Sequence, residues 1–201
     1  MKATLNDLFK SKARVIHLSH FYKGWLMWET NEANVEYRYR FSTIEGCGYF
    51  PKMPVILQSN GLPWDIGNAY LCGQLEKPNL SSMRTLTARA THLKYYLQFL
   101  EDTEQHFLDL PKLYYERAPQ KFRQFMSKVL DSNNFSAESI NNILSTVAHF
   151  YNNIRFESLV TEACLENQPY TEISKSIMTT NRLGLVRSTQ VISNDLKIRS
   201  S

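Results

Sequence analysis

Two different periods divide the chain. Up to residue 60 the apolar positions alternate with polar ones or fall in short β-forming runs; from residue 64 they recur at three- and four-residue steps. Arg14-Val15-Ile16-His17-Leu18-Ser19-His20 is rich in β-formers. Tyr22-Lys23-Gly24 suits a turn, so Trp25-Leu26-Met27-Trp28-Glu29-Thr30 is expected to return as the second strand of a hairpin. Val35-Glu36-Tyr37-Arg38-Tyr39-Arg40-Phe41 alternates apolar or aromatic with charged residues, the mark of a half-buried strand. Met53-Pro54-Val55-Ile56-Leu57-Gln58 reads as a short edge strand, a place that tolerates Pro54. Ser59-Asn60-Gly61 is a turn, and the sheet region is expected to end there.

The helical part contains four segments. Asp65 to Leu75 is a short helix with Ile66, Ala69, Tyr70 and Gly73 on one side, closed by Lys77-Pro78-Asn79. Ser81 or Ser82 caps a long helix to about Asp102, whose stripe is Leu86, Ala90, Leu93, Tyr96, Leu97 and Leu100. Gln120 to Leu130 turns Phe122, Phe125, Met126 and Val129 inward. Ser136 caps the fourth helix, with Ile140, Ile143, Leu144, Val147, Phe150, Tyr151 and Ile154 as its stripe. No strand pattern interrupts residues 64–156, which predicts an all-helical bundle. Ser158 to Glu166 suits a short helix closed by Asn167-Gln168-Pro169, and the polar end of the chain reads as a linker without a core of its own. The expected class is α+β, mainly α: a small β-rich region at 1–60, a helical domain at 61–170 and a linker at 171–201.

Charge changes this picture by its distribution. The net charge is only +4 over 201 residues, too small to argue for nucleic acid. Residues 1–60 carry a net +3, residues 61–170 a net −2 and residues 171–201 a net +3. The flanks are basic and the helical middle is not, so a DNA-binding face in the middle requires local sorting of charge. The apolar fraction of 43% is that of a globular chain. The three cysteines, Cys47, Cys72 and Cys164, fit neither a zinc spacing nor a disulfide framework and suit a reducing cytoplasm. The first residues, Met1-Lys2-Ala3-Thr4-Leu5-Asn6-Asp7, show no apolar signal core, and no run has the length of a membrane helix.

Few residues suggest catalysis or metal binding. His17-x-x-His20 is two ligands short of a metal site, and in a strand its side chains face opposite sides. His92 and His106 lack Cys or Asp partners at useful spacing, and Gly46-Cys47-Gly48 is a flexible turn. Nucleophile elbow, P-loop and dinucleotide fingerprint are all absent from the sequence, so no cofactor and no metal is expected. Tyr37, Arg38, Tyr39 and Arg40 interleave rings and cations as nucleic-acid-binding sheets do; the plainer reading packs the rings and leaves the arginines outside.

One resemblance covers about residues 61–170. A helix opening at Thr85, then Leu93, Tyr96 and Phe99-Leu100, then a last helix with Ser145-Thr146-Val147-Ala148-His149-Phe150-Tyr151, is similar to the core-binding (SAM-like) domain of tyrosine recombinases of the phage-integrase type. The resemblance implies a four-helix bundle that grips duplex DNA with its second and fourth helices, while a separate catalytic domain closes from the other side. It implies DNA integration and recombination by a mobile element, in a cytoplasmic assembly with recombinase protomers of the same kind. That family's catalytic Arg, Lys, His-x-x-Arg, His or Trp and nucleophilic Tyr have no counterpart here. The chain as given is therefore expected to be no enzyme, with 171–201 leading toward a missing catalytic domain.

The residues implied to meet DNA lie off the apolar stripes. On the second helix they are Arg84, Thr87, Arg89, Thr91 and Lys94, with Arg84 placed at the helix start where backbone N–H groups also favour anions. On the fourth the outward positions are Asn141, Asn142, Ser145, His149, Asn152 and Asn153, with Arg155 at the end. The family often carries Arg on that face. Asn and Ser in its place suit base edges better than general attraction to phosphate. The rival expectation is a helical protein-interaction module whose polar faces are merely solvated.

Overall fold

The computed structural model describes residues 4–19, 21–22, 24–31, 34–41, 49–75, 82–131, 135–156, 167–180 and 186–198. In order they form β1 (Arg14–Leu18), β2 (Phe21–Tyr22), β3 (Gly24–Asn31), β4 (Asn34–Phe41), β5 (Tyr49–Phe50), β6 (Met53–Leu57), α1 (Asp65–Gln74), α2 (Met83–Asp102), α3 (Ala118–Asp131), α4 (Ala137–Phe156), β7 (Glu172–Thr180) and β8 (Val186–Asn194). Short 3₁₀ turns occupy Leu5–Leu8 and Tyr114–Glu116. The class is α+β, mainly α, as the two periods predict. The expected breaks at Lys77-Pro78-Asn79 and Gly46-Cys47-Gly48, and the expected helix over Ser158 to Glu166, lie outside the described residues.

The helices begin where their caps place them. Ser82 precedes α2 and its Oγ accepts from the Thr85 backbone N–H at 3.3 Å. Ser136 does the same for α4, accepting from Ser139 N–H at 3.1 Å. Each hydroxyl satisfies a donor that the helix leaves unpaired at its start. Every residue of the α2 and α4 stripes is buried. In α3, Phe122, Met126 and Val129 are buried and Phe125 is partly so. On α1 the inward face is shifted from the expected one: Tyr70 is buried and Ile66 packs partly against the core as expected, but Gly67, Leu71 and Gln74 are buried while Ala69 and Gly73 are only half-buried.

The helices meet through aromatic rings. Tyr96 lies against Phe122 at 5.0 Å between centroids, and Phe150 touches Trp64 at 5.4 Å and Tyr70 at 5.7 Å. At the centre the Tyr96 and Tyr151 hydroxyls are 2.6 Å apart, and Tyr151 donates to the Phe107 carbonyl at 2.5 Å. Two buried hydroxyls thus share one polar exit, with Tyr96 donating to Tyr151.

The β-region departs from its expected pairing. β1 pairs with β6, β2 with β5 and β3 with β4, all antiparallel, in a nested ribbon. The run 14–20 therefore does not turn back at 22–24 onto 25–30; its partner is Met53–Leu57, with Arg14 opposite Leu57. Nor is β6 an exposed edge. It is buried at Met53, Pro54, Ile56 and Leu57, and α1 completes its free side. Asn68 accepts from Ile56 N–H at 2.8 Å and donates to Ile56 C=O at 3.0 Å, a carbonyl that also receives Trp64 N–H at 2.9 Å. Such bonds remove the unpaired edge that would otherwise recruit another strand.

Described buried residues of 1–60 join the helical core. Leu5, Phe9, Ala13, Met53 and Ile56 belong to one buried cluster with all four helices. The C-terminal stretch also differs from the expected linker. β7 and β8 pair antiparallel from Glu172 opposite Asn194 to Thr180 opposite Val186. Isoleucine, valine and threonine recur through both runs, which suits strands better than coil. Beyond the hairpin, Leu196 and Ile198 are buried in the main core. Asn181-Arg182-Leu183-Gly184 falls outside the described residues.

Gly67 shows how tightly α1 is seated. A Cβ at that position would lie 2.2 Å from the Trp64 ring. Gly67→Ala must displace that ring or the helix, and we expect a loss of roughly 1–3 kcal/mol in urea unfolding from such overpacking. Leu93→Ala, on the central stripe, is expected to lose roughly 2–5 kcal/mol by leaving a cavity. Unchanged unfolding midpoints would contradict both assignments.

Candidate nucleic-acid interface

The residues implied on α2 do not form one outward face. Arg84 is exposed in the first turn. Arg89 reaches sideways to α1, donating to Gln74 Oε1 at 2.6 Å. Thr87 faces β1, its hydroxyl 3.4 Å from His17 Nε2, and Thr91 bonds back to the Thr87 carbonyl at 3.0 Å. Lys94 is only 8% exposed, with its Nζ 2.6 Å from Asn6 Oδ1 and 4.2 Å from the centroid of the Tyr95 ring.

The physical cause is the N-terminal segment, which lies along this side of α2. Asp102 accepts from Lys10 N–H at 2.9 Å and Ser11 N–H at 2.7 Å. Gln98 donates to the carbonyls of Ser11 and Ala13 at 3.2 Å each. Phe9 stacks on Tyr95, with 6.2 Å between centroids. Lys94, Gln98, Glu101 and Asp102 of α2 are thus bound by residues 6–13, which a reading of the helix in isolation does not anticipate.

The residues implied on α4 stay together. Asn141, Asn142, Ser145, His149 and Asn152 form one wall of a groove of about 370 Å³. The opposite wall is the base of the β7–β8 hairpin and the segment beyond it: Tyr170, Glu172, Asn194 and Lys197. Asn142, Ser145 and His149 are exposed. Asn141 has a different role from the one implied. Its amide donates to the Ile198 carbonyl at 2.9 Å and accepts from Ile198 N–H at 2.8 Å, so it clamps the chain end. Asn152 Oδ1 meets the Tyr170 hydroxyl. Asn153 is 6% exposed and lies in the interior rather than outside. Arg155 belongs to the last turn of α4; its side chain lies outside the described residues. The Tyr37–Arg40 alternation falls in β4, where Tyr37 pairs with Trp28 and Tyr39 with Leu26 along the backbone.

A polar network fixes the second wall. The Asp195 carboxylate accepts from the Thr171 N–H at 3.0 Å and from the Tyr114 hydroxyl, and Gln120 donates to that same hydroxyl at 2.6 Å. Burial pushes the Asp195 carboxyl above the usual range, against the lowering effect of the backbone donors. Asn167 donates to the Leu110 carbonyl at 2.8 Å, and Arg117 to that of Gln168. The groove is therefore a built concavity, with one carboxylate and one ammonium among its lining residues and otherwise neutral hydrogen-bonding groups. Such a lining gives directional recognition with little net pull on an anion.

His92 ties α2 to α4 beside this wall. Thr146 donates to the Asn142 carbonyl at 3.0 Å, so its oxygen is left to accept from His92 Nδ1–H at 2.8 Å. Burial holds the imidazole below the usual histidine value. The folded state then binds fewer protons than the unfolded one just below about pH 6.5, so stability should fall as pH drops through that window. His92→Gln keeps a donor toward Thr146 and removes the titration. Urea midpoints from pH 7 to pH 5 should decline less steeply in the variant; equal slopes would show that His92 carries none of the effect.

Comparison of the chain with protein families, with curated proteins and with solved structures gave no match, so its residues and their geometry carry the functional reading.

Proposed function

We propose that this chain is the DNA-gripping, non-catalytic part of a tyrosine site-specific recombinase of the phage-integrase type, holding duplex DNA during DNA integration and recombination beside further protomers of the same kind. The observation that carries the reading is the row Asn142, Ser145 and His149, exposed on one face of α4 and opening on a groove. Neutral donors and acceptors on a helix face can bond base edges in a major groove, where each base pair presents its own pattern. The basic balance of residues 1–60 and 171–201 supplies the sequence-independent attraction that the helical middle lacks. No helix among the described residues is long and apolar enough to cross a membrane.

Fluorescence anisotropy with labelled duplexes tests the reading. Binding should be weak, on the order of micromolar or weaker near physiological salt, and should steepen as salt is diluted. Incubation with supercoiled DNA should leave its topology unchanged, because the recombinase nucleophile and its supporting groups have no counterpart in these residues. Asn142→Ala with His149→Ala should change the preferred sequence in a site-selection experiment while leaving the salt slope nearly as it was. Absence of any salt-dependent duplex binding would overturn the proposal and favour the protein-interaction module.

A further inference from the structure

A second concavity lies on the other flank of α2, and its chemistry differs from that of the α4 groove. It is an open cleft of about 550 Å³ between the N-terminal segment and α2, lined by Asn6, Lys12, Arg14, His17, Thr91 and Lys94 among others. Lys94 is the unusual member. The residue is 8% exposed, and its Nζ meets a neutral amide oxygen and an aromatic ring rather than a carboxylate. A buried ammonium without a counter-charge is costly, and such groups are ordinarily paired with a carboxylate.

The nearby carboxylates are engaged elsewhere. Asp7, the acidic residue of the lining, turns back on Thr4, accepting from its N–H at 2.7 Å and its hydroxyl at 2.9 Å. Asp102 takes the backbone N–H groups of Lys10 and Ser11, and Glu101 takes Ser59 N–H at 3.0 Å and the Ser11 hydroxyl. The cleft therefore presents three cations, Lys12, Arg14 and Lys94, against one carboxylate already satisfied by its neighbours. Lys12 and Arg14 are exposed at its rim, and Thr91 and His17 add hydrogen-bonding groups to the lining.

We propose that this cleft binds a phosphate group, with Lys94 as the buried anchor and Lys12 and Arg14 closing on the anion from the rim. The dianion or phosphodiester would supply the charge that the protein withholds from Lys94, and a cleft of this size admits a backbone phosphate without closure. The proposal is independent of the α4 groove: a phosphate site here stands or falls whether or not α4 reads bases. The phosphate can come from a DNA backbone or from solution, and the test separates the two.

The experiment uses the full chain and two variants. Lys94→Met removes the anchor at similar volume. Lys12→Gln with Arg14→Gln removes the rim charges at exposed positions and keeps the fold even if the Lys94 variant does not. Thermal unfolding is followed with inorganic phosphate against chloride at matched ionic strength. A ligand that binds only the folded state raises the midpoint, and the variants report the general salting effect of phosphate. Duplex affinity is measured in parallel over a salt series. We expect phosphate to raise the parent's midpoint more than that of either variant, and the rim variant to bind duplex about tenfold more weakly near 0.1 M salt with a log–log slope shallower by nearly two. Phosphate protection lost in the variants with an unchanged duplex slope would keep the site and assign it to free phosphate. Equal protection of parent and variants, with equal duplex slopes, would overturn the proposal and leave Lys94 as a tie for Asn6.

Discussion

Burial of α2 on most of its circumference is the constraint on which the rest of the structure depends. An amphipathic surface helix hides one stripe, but here Tyr96, Leu97, Gln98, Phe99 and Leu100 are buried in succession. The other three helices cover only part of that circumference. The remainder carries the buried polar groups Lys94 and Gln98, which need hydrogen-bond partners where water is excluded, and the half-buried Glu101 and exposed Asp102 at its end. Residues 6–13 bond to them, through main-chain groups of Lys10, Ser11 and Ala13 and the side chains of Asn6 and Ser11. The N-terminal region is thus joined to the bundle by the polar side of its central helix as well as by apolar contact.

This arrangement explains which parts of the fold were legible. The apolar stripes of α2 and α4 and the caps Ser82 and Ser136 are local signals, and all appear in the structure. The partner of β1 was not legible, because the turn at Tyr22-Lys23-Gly24 suggests a local hairpin while Met53–Leu57 pairs across a nested ribbon. Nothing local distinguishes these alternatives. What favours the observed one is burial of Met53 and Ile56 against the helices and the Asn68 bonds to the strand. The β7–β8 hairpin was missed for another reason. Its runs are polar enough to read as linker, and the residues that anchor it, Tyr114, Gln120 and Asn141, lie far away in sequence.

The candidate site divides along the same line. On α4 five of the six outward residues read from the helical period share one groove, whereas Asn153 is buried. Asn141 shows the limit of that reasoning. Its direction was legible, but both ends of its amide are used by Ile198, a residue from a segment expected to have no core. On α2 the off-stripe residues meet separate neighbours: Lys94 the N-terminal segment, Thr87 β1, Arg89 α1 and Thr91 its own helix. Arg84 keeps its exposure because it precedes the part of the helix that the segment reaches.

The two concavities follow from one difference in how chain ends cover helices. The C-terminal wall approaches α4 with neutral groups and a balanced Glu172 and Lys197, leaving a groove whose selectivity must come from hydrogen-bond direction. The N-terminal wall approaches α2 with Lys12 and Arg14 and takes up the local carboxylates with its own N–H groups, leaving a cleft with surplus positive charge. Neutral hydrogen-bonding groups and surplus positive charge thus line separate surfaces. The C-terminal segment also bears on the groove's shape: Asn141 is both a lining residue and the clamp on Ile198, and Asp195 secures the hairpin base through Thr171 and Tyr114. A displacement of the chain at Ile198 would therefore act directly on the α4 wall as well as on the core that buries Ile198.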